Sequence, residues 1–308
     1  MIFTVTCNPA LDCAVQLNGL AVGALNRTAG ATLTPGGKGI NVSRVLVALG
    51  EDTKAHGIIA GSNGDMLNDA LLNMDVLTCF VRLPEGQTRI NVKLYGEQET
   101  ELNAPGPVVS EAKMEQLLKD LEVLCWPKEK HLVCLCGSLP PGMPTDSYAR
   151  MLVAVKDCAR AIVDTTGEAL LCALREKPWL VKPNRDELAA LVGKELPTLD
   201  DVMEAARWLQ EQGAQNVLVS LGKEGALLCT TEGKRLYQPA PDGKVIGTVG
   251  AGDSLVAGFA AGWQRYGDMA QALRLGIACG SATACSEGLA TAPVVEAMLA
   301  AMPEMKEV

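Results

Sequence analysis

The chain has 308 residues, 48% of them hydrophobic, with a mean hydropathy of +0.15, which is enough to bury a large core and too apolar for a disordered chain. Its net charge of −9 at pH 7, with no long run of like charge, excludes nucleic acid and an anionic membrane as main partners, so any anion site must be local. No stretch is long and apolar enough to span a bilayer, and residues 1–6 enter a strand without the basic region of a signal peptide, so a cytoplasmic location is expected.

In chain order, the first predicted strand is Ile2–Thr6. Residues 11–35 then show no helical period. Pro35-Gly-Gly-Lys-Gly-Ile-Asn41 follows and opens an amphipathic helix over Gly39–Leu49. Its glycines, lysine and asparagine suit close approach to a polar or phosphorylated ligand. The spacing is not that of a Walker A loop, because Gly39 follows Lys38, and no Gly-x-Gly-x-x-Gly succeeds a strand to support a dinucleotide fold. A strand at His56–Ala60 and a helix at Asp65–Met74 come next. Residues 87–103 break the rhythm again, and Thr88-Arg-Ile-Asn-Val-Lys-Leu94 alternates with period two. Both irregular segments are expected to form short antiparallel strands that project as a lid.

Further along, a helix is predicted at Ser110–Leu124, a strand at Leu132–Cys136, a helix at Thr145–Cys158 and strands at Ala161–Asp164 and Trp179–Lys182. Lys182-Pro-Asn-Arg-Asp-Glu187 then offers a cation, an amide and a carboxylate within one turn. Asn184 with Glu187 at the third helical position also reads as a capping box before a helix at Asp186–Val192. A helix at Leu199–Gln212 and a strand at Val217–Leu221 complete the rhythm. Alternation of this kind implies a mostly parallel sheet with helices on both faces, and ligands then bind beyond the carboxyl ends of its strands.

Gly247-Thr-Val-Gly-Ala-Gly-Asp-Ser-Leu-Val-Ala-Gly-Phe259 is the most informative stretch. Gly250, Ala251 and Gly252 let backbone N–H groups approach a ligand at a helix N-terminus, which favours an anion. Asp253 beside that anion is placed to take a proton from a hydroxyl attacking it. Thr248 or Asp253 could instead simply cap the helix. The eleven cysteines are scattered and odd in number, without Cys-x-x-Cys spacing, and are expected to be reduced small hydrophobes. Two histidines, His56 and His131, are too few for a triad or a histidine-rich metal site.

Seven motifs appear in one order: Asn8-Pro-Ala-Leu-Asp12, Gly36-Gly-Lys-Gly-Ile-Asn41, Gly137-Ser-Leu-Pro-Pro-Gly142, Asp164-Thr-Thr-Gly167, Lys182-Pro-Asn-x-x-Glu187, Ser220-Leu-Gly-x-x-Gly225 and Thr248-Val-Gly-Ala-Gly-Asp253. Together they resemble the ribokinase-like sugar kinases of the phosphofructokinase B family across essentially the whole chain. Within it the chain is most similar to the branch acting on fructose 1-phosphate, with tagatose-6-phosphate kinases close by. The resemblance implies a single α/β domain over 1–308 with a β lid from 11–35 and 87–103. It also implies ATP-dependent phosphorylation of a sugar phosphate, with Asp253 as base and the amides of Gly250, Ala251 and Gly252 around the transferring group. Asp12, Gly37, Lys38 and Asn41 would face the sugar. Arg89, Lys93 and Ser138 would meet its phosphate, and Arg27 lies on the lid. Lys182, Asn184, Ser220, Gly222, Gly225 and Thr248 would line the nucleotide site. Glu187 and Asn184 would organise Mg²⁺ through water. Pairing of lids implies a homodimer. A non-catalytic sugar-phosphate sensor on the same fold is the rival from another class, and retention of Asp253 and the Gly-Ala-Gly turn argues against it.

Overall fold

The computed structural model describes residues 1–17, 19–28, 30–96, 100–123 and 131–308. Small parts of both lid segments (18, 29 and 97–99) and the end of the helix expected to Leu124 lie outside the described residues.

The elements run β1 (Ile2–Thr6), β2 (Ala10–Gln16), β3 (Ala31–Gly36), α1 (Lys38–Ala48), β4 (Thr53–Ala60), α2 (Gly61–Leu72), β5 (Leu77–Leu83), β6 (Arg89–Tyr95), β7 (Thr100–Leu102), α3 (Glu111–Val123), β8 (His131–Cys136), α4 (Ser147–Val155), β9 (Ala159–Asp164) and α5 (Gly167–Leu174). They continue with β10 (Leu180–Val181), α6 (Arg185–Val192), α7 (Leu199–Glu211), β11 (Asn216–Ser220), β12 (Ala226–Cys229), β13 (Arg235–Gln238), α8 (Ala251–Tyr266), α9 (Met269–Ala284), α10 (Ala292–Ala300) and β14 (Lys306–Glu307).

Ten strands form one sheet in the order β14-β13-β12-β11-β10-β9-β8-β1-β4-β5. From β11 to β5 every pairing is parallel, and β12 to β14 add an antiparallel edge. The expected α/β architecture with helices on both faces is what the chain adopts. Its strands bury both sides. On β8, Val133 and Leu135 join one core with α3, α4 and α7, while Leu132, Cys134 and Cys136 join the other with α1, α8 and α9. Continuous apolar runs such as His-Leu-Val-Cys-Leu-Cys follow from this double burial. The edge strand β5 is only half covered and carries Arg82, so it lacks such a run and the sequence rhythm passed over it.

The second sheet has the order β3-β2-β6-β7, with antiparallel outer pairings and a parallel pair β2/β6 at its centre. That parallel pair follows from the main sheet. Strands β1 and β5 run in the same direction, so the chains leaving their ends into β2 and β6 do too.

Strand β1 is the switch point. Chain order proceeds from it to β4 on one side and returns to β8 on the other, which opens a crevice beyond its carboxyl end. The small sheet stands over that crevice. Among the described residues no helix is long and apolar enough to cross a membrane. Nine described cysteines are free, and burial pushes the Cys7, Cys134 and Cys279 thiols up to about 12, as expected of packed small hydrophobes. Cys158 departs from the expectation of reduced thiols, being disulfide-bonded. His56 and His131 flank Phe3 edge-on within the sheet, not among the residues lining the crevice.

Candidate active site

A cavity of about 540 Å³ fills the crevice, lined by the ends of β1, β8 and β9, the first turns of α1 and α8, and the inner face of the small sheet. Alternation along the lid strands decides that inner face. Asp12 on β2 stands in register with Asn91 on β6, and Lys93 on β6 with Glu101 on β7. All four side chains line the cavity. Asn91 Nδ2 donates to Asp12 Oδ1 at 3.0 Å, and Lys93 Nζ lies 3.1 Å from Asp12 Oδ2 and 3.8 Å from Glu101 Oε1. Lys93 is therefore spent on carboxylates. Gly36 is needed beside them, since a Cβ there would stand 2.4 Å from Asp12 Oδ2.

Arg89 is the first residue of the same strand. Its guanidinium donates to the carbonyls of Ala104 and Asn8, each at 3.0 Å, and its Nε is buried without a partner. Burial lowers its pKa, opposed by the charge of Asp12. Ser138, after β8, and Asn8, after β1, lie close by in the cavity wall.

At the other end stands α8. Its N-cap Gly250 has φ +80°, the left-handed region that favours glycine, and an added Cβ would also have to displace the tip of Leu289, 2.6 Å away. Asp253 sits in the first turn of α8, buried, where the unpaired N–H groups and the helix dipole favour an anion. No side-chain cap bond is made at this helix start, so capping by Thr248 or Asp253 is not what the stretch does. Instead Asp253 Oδ2 accepts from Asn41 Nδ2 at 2.8 Å. Its pKa is pushed up to about 6, first by burial and then by the charge of Asp164, against the opposing pull of Asn41, Lys38 and Lys182. A carboxylate so tuned is ionised at neutral pH yet basic enough to accept a proton.

Asp164 ends β9 beneath this helix. Its Oδ1 accepts from Lys38 Nζ at 2.9 Å, and Lys182 Nζ lies 3.4 Å from Oδ2. Burial would raise the Asp164 pKa, but Lys182 and Lys38 together hold it below the usual carboxylate value. For Lys38, burial pulls the pKa down, and Asp164, Glu187 and Asp253 raise it overall.

The Asn184/Glu187 pair forms the capping box: Glu187 N donates to Asn184 Oδ1 at 2.7 Å and Asn184 N to Glu187 Oε2 at 2.8 Å. That uses one carboxylate oxygen. The other, Oε1, is 3.9 Å from Lys38 Nζ, and Glu187 lines the cavity. Asn184 also bridges to Ser220, which brings the ends of β10 and β11 together.

Asp12, Gly37, Lys38, Asn41, Arg89, Lys93, Ser138, Glu187, Gly250 and Asp253 are thus gathered around one cavity. Ala251, Gly252, Lys182, Asn184, Ser220, Gly222, Gly225 and Thr248 do not line it; Ser220 and Asn184 meet at the neighbouring strand ends, and Thr248 is exposed on the loop before α8. Arg27 is exposed on the loop after β2 and does not line it either. Asn8, Asn91, Glu101 and Thr165 line the cavity and were not anticipated. For Asn91 the signal was present, since residues 89, 91 and 93 alternate onto one face of β6.

The pfkB family carbohydrate kinase pattern matches residues 7–296. The 1-phosphofructokinase of Bacillus subtilis strain 168 is 41% identical over 307 residues, covering 99% of each chain. The D-tagatose-1-phosphate kinase of Bacillus licheniformis is 36% identical over 292 residues, covering 94% of each. Among solved structures, phosphofructokinase-2 from Escherichia coli in complex with potassium has a TM-score of 0.90 at 32% identity, over 97% of this chain and 98% of that one. The same protein is known in complex with fructose-6-phosphate and in a tetrameric inhibited form.

Proposed function

The chain belongs to the pfkB family of carbohydrate kinases, and from that membership we propose that it transfers the γ-phosphoryl group of ATP to fructose 1-phosphate, giving fructose 1,6-bisphosphate. The observation that carries this reading is Asp253: a buried carboxylate with its pKa raised to about 6, at the N-terminus of α8, in the same cavity as Arg89.

The acceptor hydroxyl oxygen bonds to the γ-phosphorus, its proton passes to Asp253, and the bond between phosphorus and the bridging oxygen breaks, leaving its electron pair on ADP. Asn41 fixes the carboxylate for this transfer. The N–H groups of Gly250, Ala251 and Gly252 stabilise charge on the transferring group at no reorganisation cost. Asp12, held by Asn91 and Lys93, accepts from sugar hydroxyls, with Gly37 beside it. Arg89 and Ser138 take the acceptor's own phosphate. Lys182, Asn184, Ser220, Gly222, Gly225 and Thr248 belong to the nucleotide side. Mg²⁺ fits the donor set, because this ion is usually bound by one or two carboxylates, waters and substrate phosphates, and Glu187 Oε1, which the capping box does not use, lies beside the cavity 3.9 Å from Lys38 Nζ. Glu187 and Asn184 would hold it through water, and it would neutralise phosphate charge.

We also propose one domain over 1–308, cytoplasmic, acting as a homodimer through the lid. The outer face of the small sheet supports the dimer. Leu33, Cys13, Val92 and Leu102 stand in one row across its four strands, and Leu33, Ile90 and Leu102 are 43, 40 and 58% exposed. An apolar sheet face of this kind, with polar residues turned to the cavity, needs a cover.

The Bacillus licheniformis relative favours a second acceptor, tagatose 1-phosphate. The test is ADP release with fructose 1-phosphate, tagatose 1-phosphate, fructose 6-phosphate, tagatose 6-phosphate and free fructose. Highest kcat/KM on fructose 1-phosphate is expected, and preference for an unphosphorylated sugar, or binding without turnover, overturns the reading.

A further inference from the structure

The cations in and beside the cavity divide into two groups that the sequence did not separate. At the lid end, Arg89 has Asp12 as its electrostatic partner, and Lys93 is paired with Asp12 and Glu101. At the α8 end, Lys38 interacts with Asp164, Glu187 and Asp253, and Lys182 with Asp164. Asp164 is what joins the second group. It is fully buried, with one oxygen toward each lysine, and it ends β9, which lies between β8 and the nucleotide-side strand β10.

A buried carboxylate between two lysines is a weak device for stability, because the desolvation of three charges offsets most of their attraction. Its placement points elsewhere. Lys182 Nζ lies so close to the α8 turn that a Cβ on Gly252 would stand 3.3 Å from it. Lys38 Nζ, a third exposed, reaches the cavity between Asp164 and Glu187 Oε1.

We propose that Asp164 is a positioning residue for phosphoryl transfer: it holds Lys38 and Lys182 at the transfer point, so that Lys38 acts on the transferring phosphoryl group and not on the acceptor's own phosphate. This rests on the kinase reading above and moves Lys38 from the sugar, which it was expected to face, to the transferring group. Two cations fixed on opposite sides of one carboxylate can neutralise charge on the transferring group without moving during the reaction. The charge of Asp164 raises the pKa of Asp253, and the charges of Lys38 and Lys182 oppose it. Arg89 is left as the cation for the acceptor phosphate.

The experiment compares wild type, Lys38→Met, Lys38→Arg and Asp164→Asn, with fructose 1-phosphate and free fructose as acceptors. Lys38→Met should lower kcat by about 10²-fold or more, as for loss of one group stabilising the transition state, with the KM for fructose 1-phosphate changed less than about threefold. The loss should be of similar size on free fructose, which has no phosphate to lose. Lys38→Arg, which keeps a charge for Asp164, should recover part of kcat. Asp164→Asn should lower kcat, raise the KM for ATP and move the acid limb of the pH profile to lower pH, because the repulsion on Asp253 is gone. A Lys38→Met variant that keeps kcat and raises only the KM for fructose 1-phosphate overturns the inference, as does an Asp164→Asn variant with altered melting but unchanged kinetic constants and pH profile. Should Asp164→Asn fail to fold, the two Lys38 variants still decide. If wild type itself does not phosphorylate fructose 1-phosphate, it is the kinase assignment that fails, and the two failures are distinct.

Discussion

Replacing Asp253 by Asn tests the base and its environment in one variant. Asn fills the same volume and can still accept from Asn41, so the cavity should keep its shape. Turnover should fall by on the order of 10²–10⁴, the range for loss of a positioned general base. Stability should move the other way. Folding raises the Asp253 pKa from 3.8 to about 6, so the folded state binds this proton more tightly than the unfolded chain does. The stabilisation by that proton is complete below about pH 4 and is lost as pH rises through about 6. Two pKa units correspond to about 3 kcal/mol. In a chain of this size that is roughly 5 °C in Tm. Thermal melts of wild type and variant should therefore coincide near pH 4, diverge up to about pH 6 and stay apart above it, with the variant the more stable. Wild-type turnover in the variant, or a Tm difference that does not change with pH, would refute the reasoning.

Glu187→Gln should raise the Mg²⁺ concentration for half-maximal rate with little change in Tm, because Gln also completes the capping box, whereas Glu187→Ala should additionally cost about 0.5–2 kcal/mol in thermal or urea melts. Arg89→Ala should raise the KM for fructose 1-phosphate by about 10- to 100-fold, the equivalent of one charged hydrogen-bonding group, and leave the KM for ATP nearly unchanged. The double substitution Leu33→Glu/Leu102→Glu should convert a dimer to monomers in light scattering, since both side chains sit in one row of the exposed lid face.

The sequence carried the fold wherever burial was two-sided, as at Leu132–Cys136, and it marked Gly250 and Asp253 at the start of α8, both of which line the cavity. What it could not carry was the pairing of charge. Lys38 and Asp164 meet across 126 residues and Asn41 and Asp253 across 212, through a sheet order that no local spacing encodes. The alternatives at Glu187 were exclusive only in one dimension, since a carboxylate has two oxygens and here one caps a helix while the other faces the cavity. The cavity cations show the cost of reading charge without partners. Lys38, Arg89 and Lys93 look alike as three positive residues in a chain of net charge −9. Folded, Lys93 is neutralised by Asp12 and Glu101, and Lys38 by Asp164 and Glu187. Among the described residues Arg89 makes no ion pair and is held by two backbone carbonyls. A phosphate entering the lid end therefore meets one cation whose charge is not already balanced by contact. An acceptor without phosphate leaves that half-buried guanidinium with backbone carbonyls in contact and only the more distant charge of Asp12, so discrimination in favour of a phosphorylated sugar follows from which cation has no carboxylate in contact.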